Sequence, residues 1–304
     1  MNRRHLSSLA SLSLAVTLAV PLSLHAQGAP DFSKVEIKTT KLADDFYSLE
    51  GQGGTIGVLA GPDGVFMVDS QFAPLSDKIA AAIKQISNQP IKFLVNTHVH
   101  GDHTGGDENF GKLGVTIMAR PQLRERLEHP SPGANGQPGV PMPAAGLPKV
   151  TYDAPTTLYM NGEEIRLIPA PKAHTDGDTF VQFVKANVIM TGDFFRSIQY
   201  PNIDRTNGGS LPGLIAALDA VIKAAGPATK IVPGHGPVVD VSAVKAHRDI
   251  VVALRDKVDK LVKEGKTQEQ VIAAKPTAEF DAKVQQPGTT ADRFVGQLFA
   301  ELKK

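Results

Sequence analysis

The run "IKFLVNTHVHGDHTGG", residues 91–106, restricts the fold more than any other part of the chain. Its first half is short, apolar and β-rich, which reads as a buried strand. That strand runs directly into three histidines and an aspartate within six positions. Imidazole is the commonest protein ligand of transition metals, and carboxylate is its usual partner. His98 and His100 alternate, so on an extended segment both side chains point the same way and can share one ion. Asp102 and His103 follow where the chain must turn, and can face a second point close to the first. Four coordinating groups packed this tightly repel one another and are costly to order without a cation.

Three distant segments repeat the theme. His174 sits in "PAPKAHTDGD", Asp193 in "MTGDFF" and His235 in "VPGHGP". Each follows a strand-like stretch and is flanked by Gly or Pro that fixes a tight turn. A lone histidine after a strand is more often a capped or surface residue than a ligand. Five histidines and two aspartates arriving together make a complete set for a pair of divalent ions. Of the other histidines, His129 in a Pro-rich loop and His247 on a helical stretch read as solvated, and His5 and His25 fall in a leader.

That leader is the basic "MNRR", an apolar segment interrupted by Pro21, and "LHA" before polar "QGAP". It predicts a cleaved export signal over residues 1–26, and hence a periplasmic or secreted protein. The pair Arg3-Arg4 fits a twin-arginine signal as well as a general one. The expected organisation is a catalytic domain over 27–240 and a helical extension over 241–304 packed on it. Loss of the two leader arginines takes the formal charge from +1 to −1. A near-neutral chain offers no electrostatic case for nucleic acid, and no segment after the leader is long and apolar enough for a membrane. There is no cysteine, so neither a disulfide nor a thiolate ligand is available.

Between these points, "DFYSLEG", "GTIGVLAG" and "GVFMVDS" predict a meander of strands turning at "GPDG". "SDKIAAAIKQI" predicts a helix capped by Ser76 with Ile79, Ile83 and Ile86 on one face. Pro121 starts a short helix. Residues 128–148 form a Pro/Gly-rich loop of the kind that serves as a lid or binding wall. A hairpin is expected across Asn161-Gly162. A helix capped by Ser210 follows, with Leu214, Ile215, Leu218, Val221 and Ile222 facing inward and Gly226 ending it. From about Val241 the chain reads as helical to its end, with Val244, Val251, Leu254, Val258 and Leu261 as its apolar stripe.

The ordered set "THVHGDHTGG", "AHTDGD", "TGDFF" and "PGHG" resembles the metallo-β-lactamase superfamily of dinuclear zinc hydrolases over residues 40–240. The resemblance implies an α/β fold, a four-layer αβ/βα sandwich of two mixed β-sheets with metals in a groove at one edge. It implies two Zn2+ ions: His98, His100 and His174 on the first, Asp102, His103 and His235 on the second, and Asp193 bridging. His98, His100 and Asp102 would then be catalytic, with a hydroxide carried on the metals attacking a carbonyl.

Two departures from the family narrow the choice. His100 stands where the oxygen-reducing diiron branch has an acid, and imidazole there favours zinc. Asp193 stands where the commonest resistance lactamases have a cysteine, as in the glyoxalase, lactonase and phosphodiesterase members. Arg196, three residues on, takes the place of a lysine that holds the substrate carboxylate, so it is expected to bind substrate. The leading expectation is an exported hydrolase of a small carbonyl substrate, first a cyclic amide as in a β-lactamase. Next stands a lactone or thioester hydrolase, then a periplasmic metal-binding or redox-relay protein with little turnover. The segment 196–209 and the loop 128–148 are the expected groove walls, with Phe194, Phe195 and Tyr200 as possible apolar contacts.

Overall fold

Short strands separated by glycine turns build the first sheet of the computed structural model, which describes residues 31–132, 136–286 and 288–303. The expected leader lies outside them. Strands β1 (Lys38–Lys41), β2 (Phe46–Glu50), β3 (Ile56–Gly61) and β4 (Gly64–Val68) form an antiparallel meander. Helix α1 (Ser76–Ile86) then returns the chain to β5 (Ile91–Val95), parallel to β4. The turns α2 (Gly101–Thr104) and α3 (Asp107–Lys112) lead to β6 (Thr116–Ala119). Helix α4 (Pro121–Glu128) and the Pro-rich loop end in β7 (Val150–Thr151), which closes a seven-stranded sheet in the order β1 to β7.

The second sheet contains β8 (Thr156–Met160), β9 (Glu163–Pro169), β10 (Thr179–Phe183), β11 (Val188–Met190) and β12 (Lys230–Val232). It is antiparallel except for β12, which runs parallel to β11 after α5 (Leu211–Ala224) crosses over. The expected hairpin joins β8 to β9, with Asn161 and Gly162 both at positive φ, 57° and 69°. Two successive left-handed residues match the right-handed strand twist.

Both sheets are mixed, and their facing sides share one apolar layer. Phe46, Phe66 and Val95 meet Ile165, Leu167 and Phe183 there, with the Phe46 and Phe183 rings 4.4 Å apart. The outer face of the first sheet is covered by Ile79 and Ile83 of α1 and Phe110 of α3. The outer face of the second is covered by α5 and by two later helices, α6 (Val241–Lys263) and α8 (Gly288–Leu302), with the short α7 (Gln268–Ala273) between them. Val244, Val251, Leu254 and Val258 are fully buried, each stabilising by about 1.5–3 kcal/mol. Among the described residues no helix is long and apolar enough to cross a membrane.

Several local expectations need correction. Ser210 caps α5 as expected, accepting from Gly213 N at 3.2 Å. Ser76 does not cap α1; a 3-10 turn precedes it, and its hydroxyl donates to the Ala73 carbonyl. Phe194, Phe195 and Tyr200 belong to the core under α5, α6 and α8 and not to a groove wall. His129 is exposed as expected. His247 is only partly exposed: its ring packs edge-on against Phe195, and its buried Nε2 has no hydrogen-bond partner among the described residues.

Candidate metal centre

All seven candidate ligands come from segments that leave strands at one end of the sandwich. Past β5 the backbone bends over residues 97–99, and His100 (φ −65°, ψ 146°) precedes α2, which carries Asp102 and His103. The segment after β9 carries His174, that after β11 carries Asp193 and that after β12 carries His235. Thr179 N donates to Thr97 O at 2.8 Å and Thr55 N to Gly234 O at 2.9 Å, joining the sheets at this end.

The side chains fall into two groups, each with its donor atoms within 4.8 Å of one another. One contains His98, His100, His174 and Asp193, the other Asp102, His103 and His235. Asp193 reaches both. Its Oδ2 lies 3.8 Å from the Nε2 atoms of His98 and of His174. Its Oδ1 lies 3.2 Å from His103 Nε2 and 3.3 Å from His235 Nε2. Asp102 Oδ2 completes the second group, 3.2 Å from His235 Nε2. His98 Nε2, His103 Nε2, His235 Nε2 and Asp193 Oδ1 are buried, and none makes a hydrogen bond of acceptable geometry with a described residue. Buried polar atoms left this way are costly. Their common focus is what a cation would satisfy, so the residues fit a pair of metal ions.

The opposite ring nitrogens are held. His103 Nδ1 lies 2.7 Å from Asp69 Oδ2, whose carboxylate also accepts from Thr97 N and Thr97 Oγ1 at 2.7 Å each. His100 Nε2 lies 2.8 Å from Asp204 Oδ2, and His174 Nδ1 donates to Asn202 O at 2.6 Å. Such partners fix the tautomer and aim the free nitrogen. Asp69, Asn202 and Asp204 escaped the sequence reading. Asp69 had a signal, as an acid closing the strand "GVFMVDS"; a backbone carbonyl such as that of Asn202 leaves none.

Electrostatics favour the neutral, ligating form at His98 and His174. Burial and the neighbouring His103 push His98 well down, and burial pushes His174 down to about 3, so both rings are neutral with a lone pair to give. Burial opposes charge on His103, but Asp193 and Asp69 outweigh it and raise its pKa. Burial would also raise Asp102, yet the His235 ring 3.2 Å away and the charge of His103 bring it down to about 2. Two glycines leave room: a Cβ on Gly54 would collide with the His103 ring, and one on Gly234 with Asp193 Oδ1.

Arg196 lies beside Asp193. Its guanidinium donates to Asp193 Oδ2 and, at 3.3 Å, to Gln199 Oε1. The segment after it does border the site: Ile198 lines a cleft beside His235, and Asp204 and Asn207 line a hollow beside His100.

Residues 49–235 match the family model of the metallo-beta-lactamase superfamily. This chain belongs to the metallo-β-lactamase superfamily. Among solved structures, it resembles a metallo-beta-lactamase from Pontibacter korlensis, with 20% identity, 71% of this chain and 99% of that chain covered, and a TM-score of 0.59. It resembles the DIM-1 metallo-beta-lactamase with 18% identity, 72% and 99% coverage and a TM-score of 0.59. The stereoselective inverting sec-alkylsulfatase Pisa1 from Pseudomonas sp. matches with 15% identity and a TM-score of 0.65, over 86% of this chain but 50% of that one. At these identities the likeness is one of fold.

Proposed function

We propose that this protein is an exported dinuclear zinc hydrolase that opens a cyclic amide. The observation that carries the reading is the convergence of four buried, unsatisfied donor atoms, with Asp193 shared between two ligand groups. A site of imidazole and carboxylate without thiolate suits zinc. When bound, such ions lower the pKa of water to about 7 and polarise a carbonyl oxygen.

The chain's own residues supply the rest. His98, His100 and His174 would hold the first position and His103 and His235 the second, with Thr97, Asp204, Asp69 and Asn202 at the far nitrogens of His98, His100, His103 and His174. Asp102 is about a quarter exposed and ionised down to about pH 2, so it is placed to take a proton from the attacking water and return it to the leaving nitrogen. The water oxygen bonds to the carbonyl carbon, the carbon–nitrogen bond breaks, and nitrogen keeps the proton. With Asp193 committed to cations, the Arg196 guanidinium is free to grip a substrate carboxylate at two points. Beside His100 a hollow of about 490 Å³, with Leu127, Pro130, Val140 and Met142 in its wall, offers an apolar surface to a substituent. Lactamases matched over nearly their whole length support the amide choice.

A lactone or thioester is the second reading, favoured by Asp193 in place of cysteine. The test is hydrolysis of a chromogenic cephalosporin by zinc-loaded protein, beside a matching lactone and a chelated control. Chelator-sensitive cephalosporin turnover well above the lactone rate supports the proposal. Lactone turnover alone moves the substrate to the second reading, and silence on both favours a metal-binding protein without turnover.

A further inference from the structure

The last helix, α8, lies beyond the residues that match the family model, yet one of its side chains holds the peptide that backs a candidate ligand. Gln297 Oε1 accepts from Ile203 N at 3.0 Å, and Gln297 Nε2 donates to Asn202 Oδ1 at 2.7 Å. Ile203 N–H and Asn202 C=O belong to the same planar peptide unit. That carbonyl is the one that accepts from His174 Nδ1 at 2.6 Å. Holding the N–H at one edge of the plane therefore fixes the direction of the C=O at the other, and hydrogen bonds in series polarise each other.

The rest of α8 anchors this contact. Phe294, Val295, Leu298 and Phe299 are buried in the core, and the Phe294 ring stacks on Tyr200 at 6.3 Å with 13° between planes. The neighbouring ligand His100 is braced through Asp204: Asn207 Nδ2 donates to Asp204 Oδ2 at 2.6 Å, and Arg126 Nη1 donates to Asn207 Oδ1 at 3.2 Å. Both arms lean on the segment 202–204, since Asp204 N also donates to His174 O at 2.9 Å, and His174 Nε2 lies 2.9 Å from His100 Nδ1.

We propose that Gln297 is a positioning residue for His174: by clamping the Asn202–Ile203 peptide it keeps the proton on Nδ1 and presents Nε2 to the first metal. This rests on the dinuclear reading above. It makes the C-terminal helix part of the metal centre.

The test compares wild type with Gln297→Met, which removes both hydrogen bonds at similar size, and Gln297→Glu, which keeps an oxygen facing Ile203 N–H. Each full-length protein is stripped with chelator and titrated with Co(II) against a chromophoric competitor, and the imidazole ¹⁵N pattern of His174 is read in the stripped state. Wild type and Gln297→Glu should show His174 protonated on Nδ1 and two binding steps. Gln297→Met should show mixed His174 tautomers and lose about tenfold in affinity at one step only, the scale for a group that orients a ligand. Met and Glu variants that behave alike, an unchanged Met variant, or equal weakening of both steps overturns the proposal. If Gln297→Met does not fold, Asn202→Ala, which keeps the peptide unit and one Gln297 bond, should give a smaller loss at the same step, and no loss overturns it. Wild type that takes up no Co(II) overturns the dinuclear reading itself, an outcome distinct from all of these.

Discussion

The Arg196 guanidinium donates to Asp193 Oδ2, while Oδ1 of the same carboxylate faces His103 Nε2 at 3.2 Å and His235 Nε2 at 3.3 Å. A cation on the protein thus competes with metal for the one carboxylate both ligand groups share. Arg196→Ala should leave metal affinity equal or higher, since a repelling charge is gone. If the freed guanidinium binds substrate, the same variant should raise KM about tenfold, about 1.4 kcal/mol, for a substrate bearing a carboxylate. An uncharged ester should be unaffected. Calorimetric metal titration and steady-state kinetics check both halves, and an unchanged KM confines Arg196 to Asp193.

Asp69 holds His103 by its Nδ1. In Asp69→Asn an amide N–H can face that nitrogen, which pulls the ring proton to Nε2 and blocks it as a ligand. The expected loss is about ten- to a hundredfold in metal affinity, at the step served by Asp102, His103 and His235. Stepwise competition titration distinguishes this from a general loss.

Gly54→Ala puts a methyl into the His103 ring. Displacing a fully buried ring costs about 1–3 kcal/mol as overpacking and moves a ligand. The variant should melt lower than wild type and bind one metal equivalent less, by thermal scan and metal analysis. Full occupancy at wild-type affinity would show that the turn carrying Gly54 gives way instead.

His247 carries a pH signature away from the centre. Burial lowers its pKa to about 4 in the folded chain, against 6.5 for the free side chain. Below 6.5 the unfolded chain binds a proton that the folded chain refuses, so stability is whole above that value and falls as pH drops from 6.5 toward 4. The loss is about 1–3 kcal/mol. His247→Phe should remove it. Denaturant unfolding of wild type and variant at pH 4.5 and 7 gives the difference, and parallel pH curves would refute it.

Hydrolysis by either proposed route requires both ligand groups, so His98→Ala and Asp102→Ala should each abolish nearly all turnover. Retention of substantial rate in either would rule out the dinuclear scheme.

The convergence of these seven side chains was legible because a metal demands particular residue types and strand ends place them. The sandwich was legible through glycine-bounded apolar runs and through the resemblance those ligands carry. What was not legible is the shell behind the ligands. Asp204 lies 104 positions from His100, and its role arises only when the loop after Asp193 folds back over the site. Gln297 reaches the site only through the Asn202–Ile203 peptide, whose N–H and C=O every residue owns. Phe194, Phe195 and Tyr200 look alike whether they line a groove or a core; the helices packed over them decide. His247 was misjudged because its Phe195 neighbour is distant in sequence.

The two ligand groups draw on both sheets: His98, His100, Asp102 and His103 follow β5, while His174, Asp193 and His235 follow strands of the second sheet. A loaded centre is therefore a staple across the sandwich, in a chain that has no cysteine with which to make any other. Closing loops this long restricts the unfolded chain much as a disulfide does. Metal starvation would then silence the protein and loosen it in one event, leaving the unloaded chain the easier one for a protease to clear.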